Sequence, residues 1–135
     1  MTVDQPFITH VTADNLDEVI AQNERRAAES KAAARAVLDI RAVGRSDRGL
    51  VTVVVDGSAL VVDLEFAQGA GAVPSALGQA VKQAHDRAVL EWRRQVHQVA
   101  EDHLPHQPDV AADMARAADA ELPSHVGHDD EGDRR

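Results

Sequence analysis

Eleven of the fourteen Lys and Arg residues fall between positions 25 and 94: Arg25, Arg26, Lys31, Arg35, Arg41, Arg45, Arg48, Lys82, Arg87, Arg93 and Arg94. A guanidinium holds its donors in a planar fork that matches phosphate or carboxylate oxygens, so an array of this size is equipped to neutralise an anionic partner. Acids interleave with the cations and no uninterrupted basic stripe forms. The plainer reading of the same residues is a set of solvated helix faces.

Other chemistry is poorly supplied. Of seven histidines, His97, His103 and His106 gather near one helix end, but Pro105 separates the last two and no cysteine completes a zinc pattern. His125 and His128 belong to the tail. Ser58 and Ser75 fit a turn and a helix cap, and neither lies in a Gly-x-Ser-x-Gly turn. Gly69, Gly71 and Gly78 match neither phosphate-loop nor dinucleotide spacing. The acids are scattered across exposed faces, so no catalytic residue, metal ligand or cofactor is assigned and an enzyme is not expected.

The elements that must position the cations are organised around the stretch Arg48–Phe66. Two β-branched runs flank Asp56-Gly57, a dipeptide favoured in two-residue hairpin turns whose central positions need positive φ. That turn predicts Val55 opposite Ser58, Val53 opposite Leu60 and Val51 opposite Val62, with Leu64 and Phe66 continuing the aliphatic face. A sheet with one apolar face needs a helical cover.

Before the hairpin, the three-four spacing of Leu16, Val19, Ile20, Ala27, Ala34, Val37 and Leu38 predicts a helix, with Thr12 or Asp14 as its cap. Asp17 and Glu18 favour its first turn through the helix dipole. Ile40, Ala42, Val43 and Gly44 suggest a short leading strand before a turn at Ser46–Gly49. After the hairpin, Leu77, Val81, Ala84, Ala88, Trp92, Val96 and Val99 form the strongest amphipathic stripe, with Ser75 as the expected cap and Leu104 near the end. The fold class is therefore α+β: a long N-terminal helix, an antiparallel two- or three-stranded sheet and a long C-terminal helix. Residues 1–12 read as an N-terminal arm in which Phe7, Ile8 and Val11 either dock or move freely, 13–104 as the domain, and 105–135 as an acidic, largely disordered tail. Within the tail, 109–122 carries the pattern of a weak helix.

Alanine accounts for 24 residues, and Phe7, Phe66 and Trp92 are the only aromatic ones. So small and alanine-rich a core is marginal alone, which makes a homo-oligomer the expectation. The absence of cysteine excludes disulfides and thiolate chemistry and fits a reducing cytoplasm. No stretch has the length of a membrane span and the N-terminus lacks a signal pattern, so the chain reads as soluble and intracellular, with no membrane partner. The net charge of −9 opposes a polyanionic ligand, but residues 101–135 alone contribute −7 while residues 20–100 sum to +2.

The order of helix, Gly49-Leu-Val51-Thr-Val53 with Gly57, Val62-Asp-Leu64 and a second helix through Leu77, Val81, Ala84 and Ala88 resembles the YbaB/EbfC family of nucleoid-associated proteins. The resemblance covers about residues 14–100. It implies a homodimer joined through the sheet, helices projecting like arms, and binding of duplex DNA with low sequence preference in the nucleoid, with consequences for nucleoid organisation or transcription. The eleven cations named above are then the DNA-contact candidates. Some actinobacterial relatives are linked instead to type VII secretion as cytoplasmic accessory or chaperone-like factors, which makes a protein partner the alternative. Alanines and arginines replace the methionines and lysines common in the family's first helix, and the acidic extension lies outside the pattern. That extension, by charge alone, is a candidate mimic competing with DNA for the arginines.

Overall fold

In a computed structural model of the chain, residues 12–120 are described. The elements run α1 (Leu16–Leu38), β1 (Ala42–Arg45), β2 (Val51–Val55), β3 (Val61–Phe66), α2 (Pro74–His103) and α3 (Pro108–Ala120), with short 3-10 turns at Asp47–Gly49 and Ala70–Ala72. The strands form one antiparallel sheet in the order β1-β2-β3. This is the α+β arrangement that the hydrophobic periods predict.

One face of the sheet is covered by α2. Ala42 of β1 and Val51, Val53 and Val55 of β2 meet Ala80, Ala84, Ala88, Trp92 and Val96 of α2, and these residues form the core together with Ile40 and Ala118. Small residues govern the closeness of this contact. At Gly44 a Cβ would overlap the Ala84 carbonyl and the Ala88 backbone, so at this position the β1 backbone lies directly against α2.

The hairpin differs from the expected two-residue turn. Val53 pairs with Leu64, Val51 with Phe66 and Val55 with Val61, across an irregularity at Val54/Val55. The connection spans Asp56–Leu60 because the Asp56 carboxylate accepts hydrogen bonds from the Ser58 and Leu60 amides at 2.8 and 3.1 Å. Backbone bonds from Asp56 N–H to the Leu60 carbonyl and from Ala59 N–H to the Asp56 carbonyl complete the longer loop. For Val53 and Val51 the partner moves by four residues. An even shift keeps each side chain on its face, so Leu64 and Phe66 still continue the aliphatic face of β2. The cover does not reach them. All six β3 residues are exposed, with Leu64 at 43 % and Phe66 at 49 %.

The helix starts also differ. Asn15, not Thr12 or Asp14, is the N-cap of α1, and its side chain accepts from the Thr12 amide instead of bonding forward into the helix. α2 begins at Pro74, with Val73 as the N-cap in place of Ser75; a proline at the first helical position loses no intrahelical bond. The extension expected to be mostly disordered begins as a helix: α3 packs on α2, burying Ala118 and half-burying Met114. The expected roles of Phe7, Ile8 and Val11, and of residues 121–135, lie outside the described residues.

Candidate nucleic-acid interface

Five of the eleven cations line the edge of β1 or the part of α2 beside it. Arg41 precedes β1, Arg45 ends it and Arg48 lies in the following turn. Arg87 of α2 donates to the Arg45 carbonyl at 2.8 Å and pairs with Asp47 at 3.0 Å. Gln83 adds a second tie, accepting from the Asp47 amide at 2.6 Å and donating to its carboxylate at 3.1 Å. Arg87, Gln83 and the Arg48 charge hold the Asp47 carboxyl below the usual carboxylate range. Arg48 occupies a left-handed backbone (φ 66°), which turns the chain at this corner. Farther along, Arg41 and Arg94 line one hollow of about 490 Å3 with Asp39 and Asp102.

The cations of this edge are not equivalent. Arg87 fastens the 46–49 turn to α2, and Arg94 is held by Glu91 at 2.6 Å, which lowers the Glu91 carboxyl and raises the guanidinium. Arg41 donates to the Ile40 and Leu38 carbonyls and so closes the end of α1. Arg45 and Arg48 are exposed and make no ion pair or side-chain hydrogen bond among the described residues.

The remaining candidates stand apart from that edge. Arg25, Arg26, Lys31 and Arg35 lie on α1, with Arg26 half-buried and the other three exposed. Lys31 and Arg35 share a helix face at four-residue spacing. On α2, Lys82 is exposed and Arg93 is half-buried, its Nε buried without a partner among the described residues. The array is therefore divided among α1, the β1 edge and the flank of α2. On the sheet face away from α2, Arg45, Thr52 and Glu65 are cross-strand neighbours. That face runs from a basic edge at β1 to an acidic one at β3, where Asp63 and Glu65 stand.

Sequence reasoning passed over Asp47 and Gln83, which position Arg87. Positions 47 and 87 are 40 residues apart, and no local spacing signals the pair. The Glu91–Arg94 pair, three residues apart on one helix, was open to detection. The histidines are engaged singly: His97 with Asp119 at 2.8 Å, His106 with Glu29 at 2.5 Å, and His103 with the Val99 carbonyl at 3.3 Å. Among the described residues no helix is long and apolar enough to cross a membrane.

A three-stranded sheet covered on one face by a long helix and led by a second helix makes a small α+β module with cations along one edge. Residues 13–104 match the YbaB/EbfC DNA-binding family, and the chain belongs to that family of nucleoid-associated proteins. No curated protein matches the chain.

Proposed function

We propose that the protein is a nucleoid-located, homodimeric DNA-binding protein with low sequence preference, acting on nucleoid organisation or transcription. Membership of a DNA-binding family over residues 13–104 is the observation that carries this reading. The geometry adds two supports. The exposed apolar side chains of β3, together with the free backbone edge of that strand, suit pairing with a second copy. Arg45 and Arg48 on the opposite edge, with Arg25, Lys31 and Arg35 on α1, supply cations for phosphates. Acids interleaved with them favour weak, salt-sensitive binding governed by the backbone of the duplex.

The test is fluorescence anisotropy of a labelled duplex at two salt concentrations, with several unrelated sequences. Binding that is similar across sequences and falls steeply with salt is the expected result. No binding at low salt would remove DNA as the ligand. A second reading, a protein-binding accessory of the kind linked to type VII secretion, has one observation in its favour. Ala34, Val37, Leu38, Trp92, Val110 and Met114 line an apolar groove of about 740 Å3 between α1, α2 and α3. One stoichiometric protein recovered from native lysate, with no nucleic acid, would favour that reading.

A further inference from the structure

The segment Leu104–Ala120 begins where the family match ends, yet it is built into the domain. Leu104 and Ala118 are only 2 % and 3 % exposed, and Met114 packs against the core. Between the two helices lies Gln107, a polar side chain that is 9 % exposed. Its amide nitrogen reaches the Arg26 carbonyl of α1 at 3.0 Å and, more weakly, Glu29 Oε1 and Ser30 Oγ at 3.4 Å. The adjacent His106 contacts Glu29 at 2.5 Å, and at the far end of α3 Asp119 contacts His97 of α2 at 2.8 Å.

α1 is held at its C-terminal end, where Val37 packs against the core and Gly57 lies close against the Val37 carbonyl; its N-terminal part has less to fix it. Among its 23 residues only Ala33 is buried, and Leu16 and Ile20 are about half-exposed. N-terminal to Ala33, α1 gains little from packing, because no residue there is buried. A buried amide bonded to the main chain of α1 is costly to strip of its partners. The extension therefore fastens the Arg26–Ser30 stretch of α1, which buries no side chain of its own.

We infer that Leu104–Ala120 is a strap that holds α1 against α2 and fixes the angle at which α1 leaves the sheet. Its grip on Arg26–Ser30 sets where Arg25, Lys31 and Arg35 stand relative to the cations of the β1 edge. Loosening the strap frees α1 to pivot about Asp39 and Ile40, between the helix and β1. The inference concerns the free protein and stands whether or not DNA is the ligand.

The chain has no cysteine, so a spin-label pair introduced at Glu24→Cys and Gln98→Cys reports the α1–α2 distance without background. Labelled full-length chain is diluted with unlabelled chain, and the distance distribution is measured without DNA. The otherwise unchanged protein is expected to give one narrow distribution. Gln107→Ala broadens it, and Ala118→Asp, which places a charge where α3 docks, broadens it further. Amide exchange at 26–36 rises about tenfold in the same variants, as local opening becomes easier. If circular dichroism shows that Ala118→Asp loses helix beyond α3, the result is read from Gln107→Ala alone. A distribution as narrow as that of the parent, with unchanged exchange, would overturn the strap.

Discussion

Trp92 donates its indole N–H to the Gly57 carbonyl at 3.0 Å in a buried contact between α2 and the hairpin tip. Trp92→Phe leaves that carbonyl without its donor at a cost of about 1–3 kcal/mol, which urea denaturation followed by circular dichroism will show. Gly57 itself does not supply the turn's left-handed residue. A Cβ there would overlap the Val37 carbonyl, and the positive φ, 64°, falls on Ala59. Ala59→Gly is expected to raise stability by about 0.5 kcal/mol, because relief of the left-handed strain exceeds the added chain entropy. Asp56 and Gly57 located the reversal in sequence but not its length or register, and nothing in an alanine announces which residue will turn left-handed. The Asp56 carboxylate decides the loop length. Bonds from the Leu60 and Ser58 amides lower its pKa, so its contribution is complete above the ordinary aspartate range and is lost as pH falls through the depressed value. Amide protection in the loop should therefore weaken on acidification below about pH 4, and Asp56→Asn should remove most of that pH dependence; an unchanged dependence would assign it to other carboxylates.

At the scale of elements, α1 and α2 were legible because their apolar spacing is strong, whereas β1 was only suggested by Ile40, Ala42, Val43 and Gly44, which left the sheet at two or three strands. The starts of the two helices were not legible, since Asn15 and Val73 take the cap positions expected of Thr12 or Asp14 and of Ser75. α3 was visible only as an alanine-rich pattern. Its order comes from contacts such as that of Gln107 with Arg26, 81 residues away, which no local period encodes. β3 was recognised as a strand, but that it would stand outside the helical cover became evident only once α2 was seen over β1 and β2. Full burial of a Phe or Leu side chain is worth about 1.5–3 kcal/mol, so pairing β3 with its copy offers a large gain for a small chain. If the proposed dimer forms through β3, Phe66→Glu should shift it to a monomer in sedimentation equilibrium while leaving the far-UV spectrum largely intact. A dimer of unchanged affinity would place the self-association surface elsewhere.

For the whole molecule, a net charge of −9 coexists with a DNA-binding family assignment because charge is divided by region. The eleven cations were named from sequence, but their division among three surfaces and the structural employment of Arg87, Arg94 and Arg41 depend on the fold. Arg45→Ala/Arg48→Ala tests the two edge arginines without an ion pair. The variant should bind duplexes of different sequence more weakly to a similar degree, with the slope of log affinity against log salt reduced by about 0.9 per lost phosphate contact. An unchanged slope would move the interface to α1. The opposite placement of β1 and β3 in the sheet has a further consequence. If two β3 strands pair, the copies of β1 become the outer margins of one six-stranded sheet, about 24 Å apart at about 4.8 Å per strand. The dimer then acts as a ruler with two anionic-ligand grips separated by about seven steps of 3.4 Å. Its footprint would be set by strand count, and a duplex shorter than that span would engage only one grip and forfeit the gain of bivalence.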